Sequence, residues 1–339
     1  MCGIAGIARA DARGVGRDVL RRMAAQIRHR GPDDEGILPG PRVGFAHTRL
    51  SIIDLAHGAQ PLGNEDDTIV IVYNGEVYNY LELRARLLAS GHRFRTATDT
   101  EVLVHAYEEW GTGMLAHLNG QFAFAIHDQR DDSVFVARDR FGICPLFYAQ
   151  PGHDFVFASE AKAIFASGEV RAAPDLRGLD EVFTLWSARA PRTPFSGVSA
   201  LEPGTYAVWR DGTLRVARYY EPRFDEAETE PADALLALDE VLRRAVTLRM
   251  RADVPVGGYL SGGLDSSITC SLAAAGSPHE LRTFSVTFED PSLDESAYQM
   301  KVAAAVRSRH AIVRIGAREI AEVFPTVVRH AETPLVRTG

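Results

Sequence analysis

Cysteine is scarce in this sequence, and its cysteines are far apart. The 339 residues include three, Cys2, Cys144 and Cys270, which form neither a disulfide framework nor a C-x-x-C metal pair. A reducing compartment suits such a set. The sequence also lacks an apolar run of the roughly 18 residues that a membrane span needs, and its N-terminus lacks the pattern of a signal peptide. We therefore expect a cytoplasmic protein that has no membrane partner.

Basic residues are fewer than acidic residues in this sequence. Lysine and arginine number 37 against 45 acidic residues, which gives a net charge of −8, and the basic residues form no run. A nucleic-acid partner is therefore not expected. The composition, 46% hydrophobic and 24% charged, is that of an ordinary globular protein, and the length allows two domains with sizeable cores.

The first six residues, Met1-Cys2-Gly3-Ile4-Ala5-Gly6, place a thiol beside the chain terminus. If Met1 is removed, Cys2 carries both the thiol and the free α-amino group, whose pKa values are about 8.5 and roughly 7.7–8.0. One residue then supplies a nucleophile and a base near neutrality. Gly3 and Gly6 are expected to let the backbone approach a substrate closely. An early cysteine alone is not specific, so this interpretation depends on segments downstream.

Two further segments of the first half carry polar residues of interest. Residues 28–36, Arg-His-Arg-Gly-Pro-Asp-Asp-Glu-Gly, contain helix breakers and are expected to form a polar loop. Residues 43–54 are expected to be extended, with Arg49 between apolar stretches. The pattern leaves open whether Arg49 binds a ligand or is a solvated or salt-bridged side chain.

An apolar, β-branched run at residues 69–73 predicts a strand buried on both faces, ending at Asn74-Gly75-Glu76. Asn-Gly is typical of a hairpin turn. Alternatively, the Asn74 amide and the Gly75 N–H form a two-donor hole for a developing oxyanion. A helix is predicted at residues 78–90, with Tyr80, Leu83 and Leu87 on one face.

Residues Thr98-Asp99-Thr100 are expected to open another helix, with Leu103, Tyr107 and Trp110 on one stripe. Asp99 is either its N-cap or a partner for a substrate ammonium. Four short strands follow, predicted at residues 122–127, 133–138, 146–149 and 155–159. Together these patterns favour antiparallel layered sheets covered by helices.

The motifs of the first half, in this order and spacing, resemble a class II glutamine amidotransferase domain of the glutamine-hydrolysing asparagine synthetases. They cover roughly residues 1–210 and comprise Cys2-Gly3-Ile4, Arg28–Asp33, Arg49-Leu50-Ser51, Asn74-Gly75-Glu76, Thr98-Asp99-Thr100-Glu101, Asp139–Phe147, Phe157–Lys162 and Leu201–Gly204. The implied fold is an α+β N-terminal-nucleophile hydrolase, an antiparallel sheet sandwich flanked by helices, over residues 1–215. Many relatives have a lysine where this chain has Cys144, to which we assign no role beyond that of a small buried hydrophobe.

The resemblance implies a role for each matching residue. Cys2 attacks the glutamine side-chain amide, while Asn74 and Gly75 stabilise the oxyanion. Arg49 binds the α-carboxylate, because a guanidinium pairs with a carboxylate through two hydrogen bonds, and Glu76 and Asp99 bind the α-ammonium. The backbone of Leu50, Ser51, Ile52 and Ile53 lines the same pocket, and the 28–36 loop closes over the substrate.

The second half alternates helices and strands, after a Pro- and Glu-rich linker at residues 219–231. Helices are predicted at residues 232–251 and 295–307, and another follows the segment 261–267 and ends at about residue 276. Strands are predicted at residues 254–260, 281–288 and 311–315. The first helix has Leu235, Leu238, Leu242 and Ala245 on one face. Such alternation predicts a parallel, Rossmann-like sheet, here as a second domain at residues 232–339.

The segment Ser261-Gly262-Gly263-Leu264-Asp265-Ser266-Ser267 follows the first of these strands. Two glycines, three hydroxyls and a helix N-terminus favour anion binding, although glycines before a helix can also be turn chemistry alone. The Walker A spacing and its lysine are absent. The segment resembles the pyrophosphate loop of ATP pyrophosphatases. That resemblance implies that ATP is bound, that Leu260 and Val286 contact adenine through their backbone, and that Asp265 holds Mg²⁺ with pyrophosphate.

Together the two halves imply a glutamine-dependent asparagine synthetase. Ammonia released at Cys2 would cross a dry passage to an ATP-activated aspartate or related carboxylate, giving an amide, AMP and pyrophosphate. The synthetase domain of this family continues beyond Gly339 with a further glycine-rich segment and a catalytic lysine. We therefore expect a truncated chain with an incomplete α/β Rossmann-like ATP-pyrophosphatase domain. Glutaminase activity should be retained, whereas amide synthesis should be absent or severely reduced.

Several alternatives stay open. The chain is alternatively a glutaminase-only or non-catalytic paralogue that pairs with a full-length partner, an amidotransferase of a specialised-metabolite pathway, or a synthetase of the β-lactam-forming kind. Cys2, Asn74 and Asp99 together argue against the last. A homodimer, or a partner that supplies the C-terminal part, is the expected assembly, because an exposed sheet edge favours pairing.

Overall fold

A computed structural model describes residues 1–11, 13–224 and 230–336. The chain divides into two compact units, Met1–Arg223 with Ala331–Gly339, and Phe224–His330. Of the expected linker at residues 219–231, residues 225–229 lie outside the described residues. Among the described residues, no helix has both the length and the apolar character needed to span a membrane.

The described part of the first unit contains two antiparallel sheets. Its strands are β1 (Gly3–Ala8), β2 (Asp34–Leu38), β3 (Val43–Arg49), β4 (Leu62–Gly63), β5 (Ile69–Val77), β6 (Gly120–Asp128), β7 (Ser133–Arg138), β8 (Phe147–Ala149), β9 (Phe155–Ala158), β10 (Ser199–Ala200), β11 (Thr205–Arg210) and β12 (Thr213–Arg218). One sheet has the order β10-β8-β9-β1-β3-β2 and the other β12-β11-β7-β6-β5-β4.

Helices cover both outer faces of this sandwich. They are α1 (Arg17–Ile27), α2 (Tyr80–Ala89), α3 (Asp99–Trp110), α4 (Ala161–Ala166) and α5 (Leu176–Leu185). Alternation along β1 shows how the layers form, because successive strand residues point to opposite faces. Ile4 packs in the core between the sheets, whereas Ala5 packs in a core shared with α1 and α4. A third core joins the second sheet to α2 and α3.

The Asn74-Gly75 pair does not form a hairpin, and the strand predicted to end at residue 73 continues through it. Both residues lie inside β5, where Asn74 pairs with Ala123 and Gly75 with Phe122 of β6. Glycine is required there because φ is +155° and a Cβ would lie 2.1 Å from the Gln121 carbonyl oxygen. The hairpin interpretation of this pair is therefore wrong.

Two other expectations about the first unit are also corrected. A Cβ at Gly6 would meet the Phe157 ring at 2.4 Å, and one at Gly3 would meet Thr48 Oγ1 at 2.6 Å. Both glycines therefore allow close packing of the protein itself and not approach to a substrate. The 28–36 segment is not one loop, since it begins as a 3₁₀ turn and residues 34–36 belong to β2, which pairs with β3.

The second unit has a parallel sheet with the order β13-β14-β15. Its elements are α6 (Pro231–Arg249), β13 (Gly257–Tyr259), α7 (Leu264–Gly276), β14 (Arg282–Phe288), α8 (Ser296–Val306), β15 (Arg309–Ile315) and α9 (Ala317–Ala331). The predicted alternation is present, but the apolar stripe of α6 is not buried. Leu235 and Leu238 are 67% and 53% exposed. The core cluster of this unit contains, among the described residues, Leu260, Cys270, Leu281 and Ala303.

Candidate active site

The candidate nucleophile, Cys2, immediately precedes β1 and is half-buried. Its Sγ lies 3.3 Å from the Leu50 nitrogen, which donates to it, and 3.6 Å from the Leu50 carbonyl oxygen, to which the thiol donates. Burial raises the pKa of the Cys2 thiol, whereas it lowers the pKa of the chain's α-amino group, carried here by Met1. The resting thiol therefore keeps its proton and needs a base to react.

Cys2 lines a polar pocket of the first unit. The predicted glutamine-binding residues that line it are Arg49, Leu50, Ile52, Ile53, Gly75, Glu76 and Asp99. The pocket thus has a cation and two carboxylates in its wall, together with the thiol. That set complements a zwitterionic amino acid, which carries one α-carboxylate and one α-ammonium.

Arg49 ends β3 and is buried, with 7% of its surface exposed. Its guanidinium donates to the carbonyl oxygens of Ile53, Asp54 and Leu55, at 3.4, 2.8 and 3.1 Å. These bonds fix the guanidinium and shape the 50–55 segment around it. The remaining N–H groups of its five can point to a ligand carboxylate in the pocket.

Asp99 is the first residue of α3. The N-cap of this helix is the preceding residue, Thr98, whose side chain accepts a hydrogen bond from the Glu101 N–H. The N-cap alternative for Asp99 is therefore wrong. Its carboxylate accepts from Tyr73 Oη at 2.8 Å and from the Val77 N–H at 2.9 Å. Burial raises the pKa of both Asp99 and Glu76, and the charge of Asp99 raises the pKa of Glu76 further. A cation between them would reverse both shifts.

Asn74 is fully buried, yet neither its Nδ2 nor its Oδ1 has a hydrogen-bond partner among the described residues. Such unpaired buried groups are rare and call for an explanation. Asn74 does not line the pocket wall, whereas Gly75 does. Nor does Ser51 line the pocket; its N–H donates instead to Asp33 Oδ2 at 2.8 Å, because β2 brings Asp33 beside the end of β3.

Three residues near this site were not assigned from the sequence. Arg30 donates from Nε to the Cys2 carbonyl at 2.9 Å. Gln60 accepts from the Tyr73 N–H at 2.7 Å, and His47 Nε2 lies 3.1 Å from the Tyr73 carbonyl. Burial lowers the pKa of His47 to about 4, so it is a neutral donor at Nε2. Only Arg30 had a sequence signal, since it lies within the Arg28–Asp33 motif.

The glycine-rich segment of the second unit connects β13 to α7. Gly262 has φ +87°, and a Cβ there would lie 2.9 Å from Tyr298 Cβ. The hydroxyls of Ser261 and Ser266 are 2.9 Å apart, while Ser267 Oγ donates to the Gly263 carbonyl at 2.7 Å. The loop therefore places hydroxyls beside the open N–H groups at the start of α7, a donor set suited to an anion.

The other predicted nucleotide contacts are close to this loop along the strands. Leu260 is buried, and its N–H donates to the Phe284 carbonyl at 2.8 Å, while its own carbonyl accepts from Ser285 Oγ. Both backbone groups of Leu260 therefore already have a partner within the protein. The Val286 carbonyl accepts from Gln299 Nε2 at 3.2 Å. Asp265 is exposed in the first turn of α7.

Residues 1–220 match the family model for a glutamine amidotransferase domain. A solved structure described as the allosteric regulatory enzyme of purine biosynthesis has the same fold, with a TM-score of 0.50 at 16% identity over 93% of this chain and 80% of that one. The layered sheets with a cysteine at the start of β1 define an amidotransferase domain of the N-terminal-nucleophile type, which confirms the predicted fold class.

Residues 237–339 match the asparagine synthase family model. Asparagine synthetase [glutamine-hydrolyzing] 1 of Bacillus subtilis is 37% identical over 94% of this chain and 50% of its own length. Asparagine synthetase [glutamine-hydrolyzing] 1 of Arabidopsis thaliana is 36% identical over 81% and 42%. The chain belongs to the glutamine-hydrolysing asparagine synthetase family, as predicted, and spans about half the length of the curated relatives that it matches.

Proposed function

We propose that the first unit hydrolyses the side-chain amide of glutamine to glutamate and ammonia. The observation that carries this proposal is the pocket in which the Cys2 thiol, the Arg49 guanidinium and the carboxylates of Glu76 and Asp99 meet. Arg49 would take the α-carboxylate of glutamine and the two acids its α-ammonium. This orientation directs the side-chain amide towards Cys2.

The chemistry follows from the terminal position of Cys2 once Met1 is removed. The α-amine takes the thiol proton, and sulfur attacks the amide carbon. Negative charge then develops on the amide oxygen, where the Asn74 Nδ2–H and the Gly75 N–H are the proposed donors. The carbon–nitrogen bond breaks with proton transfer to nitrogen, which leaves as ammonia, and water hydrolyses the thioester to glutamate.

We propose that the second unit binds ATP. Ser261, Gly262, Gly263, Ser266 and Ser267 would hold its phosphates, with Mg²⁺ at Asp265. The donor set of the loop fits a polyanion, and the adjacent carboxylate fits a hard divalent cation. When bound, ATP supplies the activation of a carboxylate that ammonia then converts to an amide.

For the whole protein we propose glutamine-dependent amide formation on aspartate or a related carboxylate, with AMP and pyrophosphate as the other products. The names of the curated relatives support this assignment. Three free cysteines support a cytoplasmic location, since two of them are buried and unpaired. A partner or second copy of the chain remains the predicted assembly.

Glutamate release and ATP–pyrophosphate exchange test the two units separately. Cys2→Ala should abolish glutamate release and leave the exchange unchanged. Cys270→Ala is the matched control for glutaminase, because it removes a buried thiol in the second unit. Mass spectrometry of the purified chain should show loss of Met1. Undiminished glutamate release by Cys2→Ala would refute the first proposal, and wild-type protein without ATP binding would refute the second.

A further inference from the structure

The carboxylate of Glu332 lies at the start of α4, although 170 residues separate it from Lys162 in the chain. Oε2 accepts from the Ala161 N–H at 2.6 Å, and Oε1 accepts from the Lys162 N–H at 2.7 Å. These are the first two residues of the helix. The Glu332 side chain is 8% exposed, so this contact is a buried, charge-assisted one.

Lys162 connects Glu332 to a second carboxylate. Its Nζ lies 3.4 Å from Glu332 Oε1 and forms an ion pair with Glu160 Oε2. The Glu160 side chain is 6% exposed. Burial alone would raise the pKa of Glu160, but the neighbouring Lys162 and Arg30 lower it, so this carboxylate is ionised.

Arg30 completes the connection to the nucleophile. Its Nη1 donates to Glu160 Oε1 at 2.8 Å, and its Nε donates to the Cys2 carbonyl at 2.9 Å. Glu332, Lys162, Glu160 and Arg30 thus form a continuous series of alternating charges that ends on the backbone of Cys2. We refer to these four residues as the Glu332 relay.

We propose that Glu332 is a positioning residue for the Cys2 nucleophile, acting through the Glu332 relay. The predicted effect on catalysis rests on the proposed glutaminase function, whereas the contacts between the four residues do not depend on it. The Cys2 carbonyl belongs to the same residue as the reacting thiol, and the bond from Arg30 fixes its direction. Small displacements of a reacting group have large costs in rate.

With Glu332 in place, two carboxylates balance Lys162 and Arg30. Without it, Lys162 is left with Glu160 as its carboxylate partner in the relay, and the N–H groups of Ala161 and Lys162 lose their acceptor.

The test compares Glu332→Ala with wild-type protein by glutaminase kinetics and by the pH profile of Cys2 alkylation with iodoacetamide. We expect kcat to fall about tenfold or more, with a smaller change in KM, and the alkylation profile to shift. Glu181→Gln is the matched control. Its carboxylate also accepts a backbone N–H and an arginine, at 2.9 and 2.6 Å, and it has no bond to the relay.

A second variant separates relay function from helix capping. Lys162→Gln removes the side-chain link but keeps both backbone bonds to Glu332, and it should reproduce most of the loss in kcat. The double variant should be no slower than the slower single variant. Wild-type kcat and an unshifted alkylation profile in Glu332→Ala would overturn the inference. If the wild-type protein has no glutaminase activity, but its Cys2 alkylation profile still differs from that of Glu332→Ala, the proposed function is refuted. The inference that Glu332 positions Cys2 is then still supported.

Discussion

At the scale of single residues, Asn74 stands out among the described residues because it is fully buried and makes no side-chain hydrogen bond. An unsatisfied buried donor or acceptor costs about 1–3 kcal/mol of folding free energy, and both polar atoms of Asn74 are unpaired among the described residues. We predict that Asn74→Leu raises the midpoint of thermal unfolding while lowering kcat for glutamine about 10²–10³-fold. Calorimetry and glutamate release on the same preparation measure both effects.

Asn64 provides the control for this prediction, because it is buried like Asn74 but both polar atoms of its side chain are hydrogen-bonded. Its Nδ2 donates to Glu108 Oε1 at 2.8 Å, and its Oδ1 accepts from the Ile69 N–H at 3.1 Å. Asn64→Leu should therefore lower the unfolding midpoint and leave kcat unchanged. An Asn74→Leu protein that is less stable than wild type and fully active would contradict our assignment of the oxyanion donor.

Glu76 and Asp99 give a second prediction at this scale. Their raised pKa values mean that the empty pocket retains a proton near neutral pH, and an incoming ammonium favours the ionised forms. Binding of glutamine to the Cys2→Ala protein should therefore release a proton, and the affinity should weaken as the pH falls. Titration calorimetry in two buffers of different ionisation enthalpy measures the release. Identical heats in both buffers would show that no proton leaves the pocket.

At the scale of elements, α3 carries a buried histidine between two acids. His105 Nδ1 lies 2.6 Å from Glu108 Oε2, and Nε2 lies 3.8 Å from Glu101 Oε1. Burial alone would lower the pKa of His105, but its interactions with Glu101 and Glu108 raise it to about 9. Its contribution to stability is therefore complete below about pH 6.5, the pKa expected for an unfolded histidine, and is lost as pH rises through about 9.

This predicts a specific alkaline loss of stability. The free energy of unfolding should fall by roughly 1–3 kcal/mol between pH 7 and pH 10 in wild-type protein, and by less in His105→Gln. His153→Gln, a change at an exposed histidine of the same unit, should follow the wild-type curve. Denaturant unfolding at a series of pH values tests this, and parallel curves for wild type and His105→Gln would contradict it.

The sequence predicts those helices and strands whose capping residues and apolar periodicity lie within the element itself. Thr98 and Gly111 bracket α3, and the repeat of Leu83 and Leu87 on α2 is buried as periodicity requires. It does not predict that Asn74-Gly75 lies within β5, because the close approach to Gln121 that requires a glycine is made by a strand 45 or so residues further on. The roles of Arg30 and Glu332 are equally non-local, since their partners meet only after folding.

At the scale of the whole molecule, the two units differ in how much apolar surface they bury. The described part of the first unit has three cores, two of which flank the inter-sheet core. Within residues 230–330, the second unit has one small core, and it exposes large apolar side chains such as Tyr259, Leu236 and Val313. Since buried apolar area is the main stabilising contribution, the second unit should be the less stable one.

Calorimetry should therefore resolve two unfolding transitions, with the second unit melting first. Mg·ATP should raise only the lower midpoint, and glutamine added to the Cys2→Ala protein only the upper one. A ligand at 100 times its Kd adds about 2.7 kcal/mol to the unit that binds it, which corresponds to several degrees for a unit of this size. Asp265→Asn should reduce the response to Mg·ATP and leave the response to glutamine intact. A single transition that both ligands shift would mean that the two units unfold as one, because stabilisation then spreads over the whole chain.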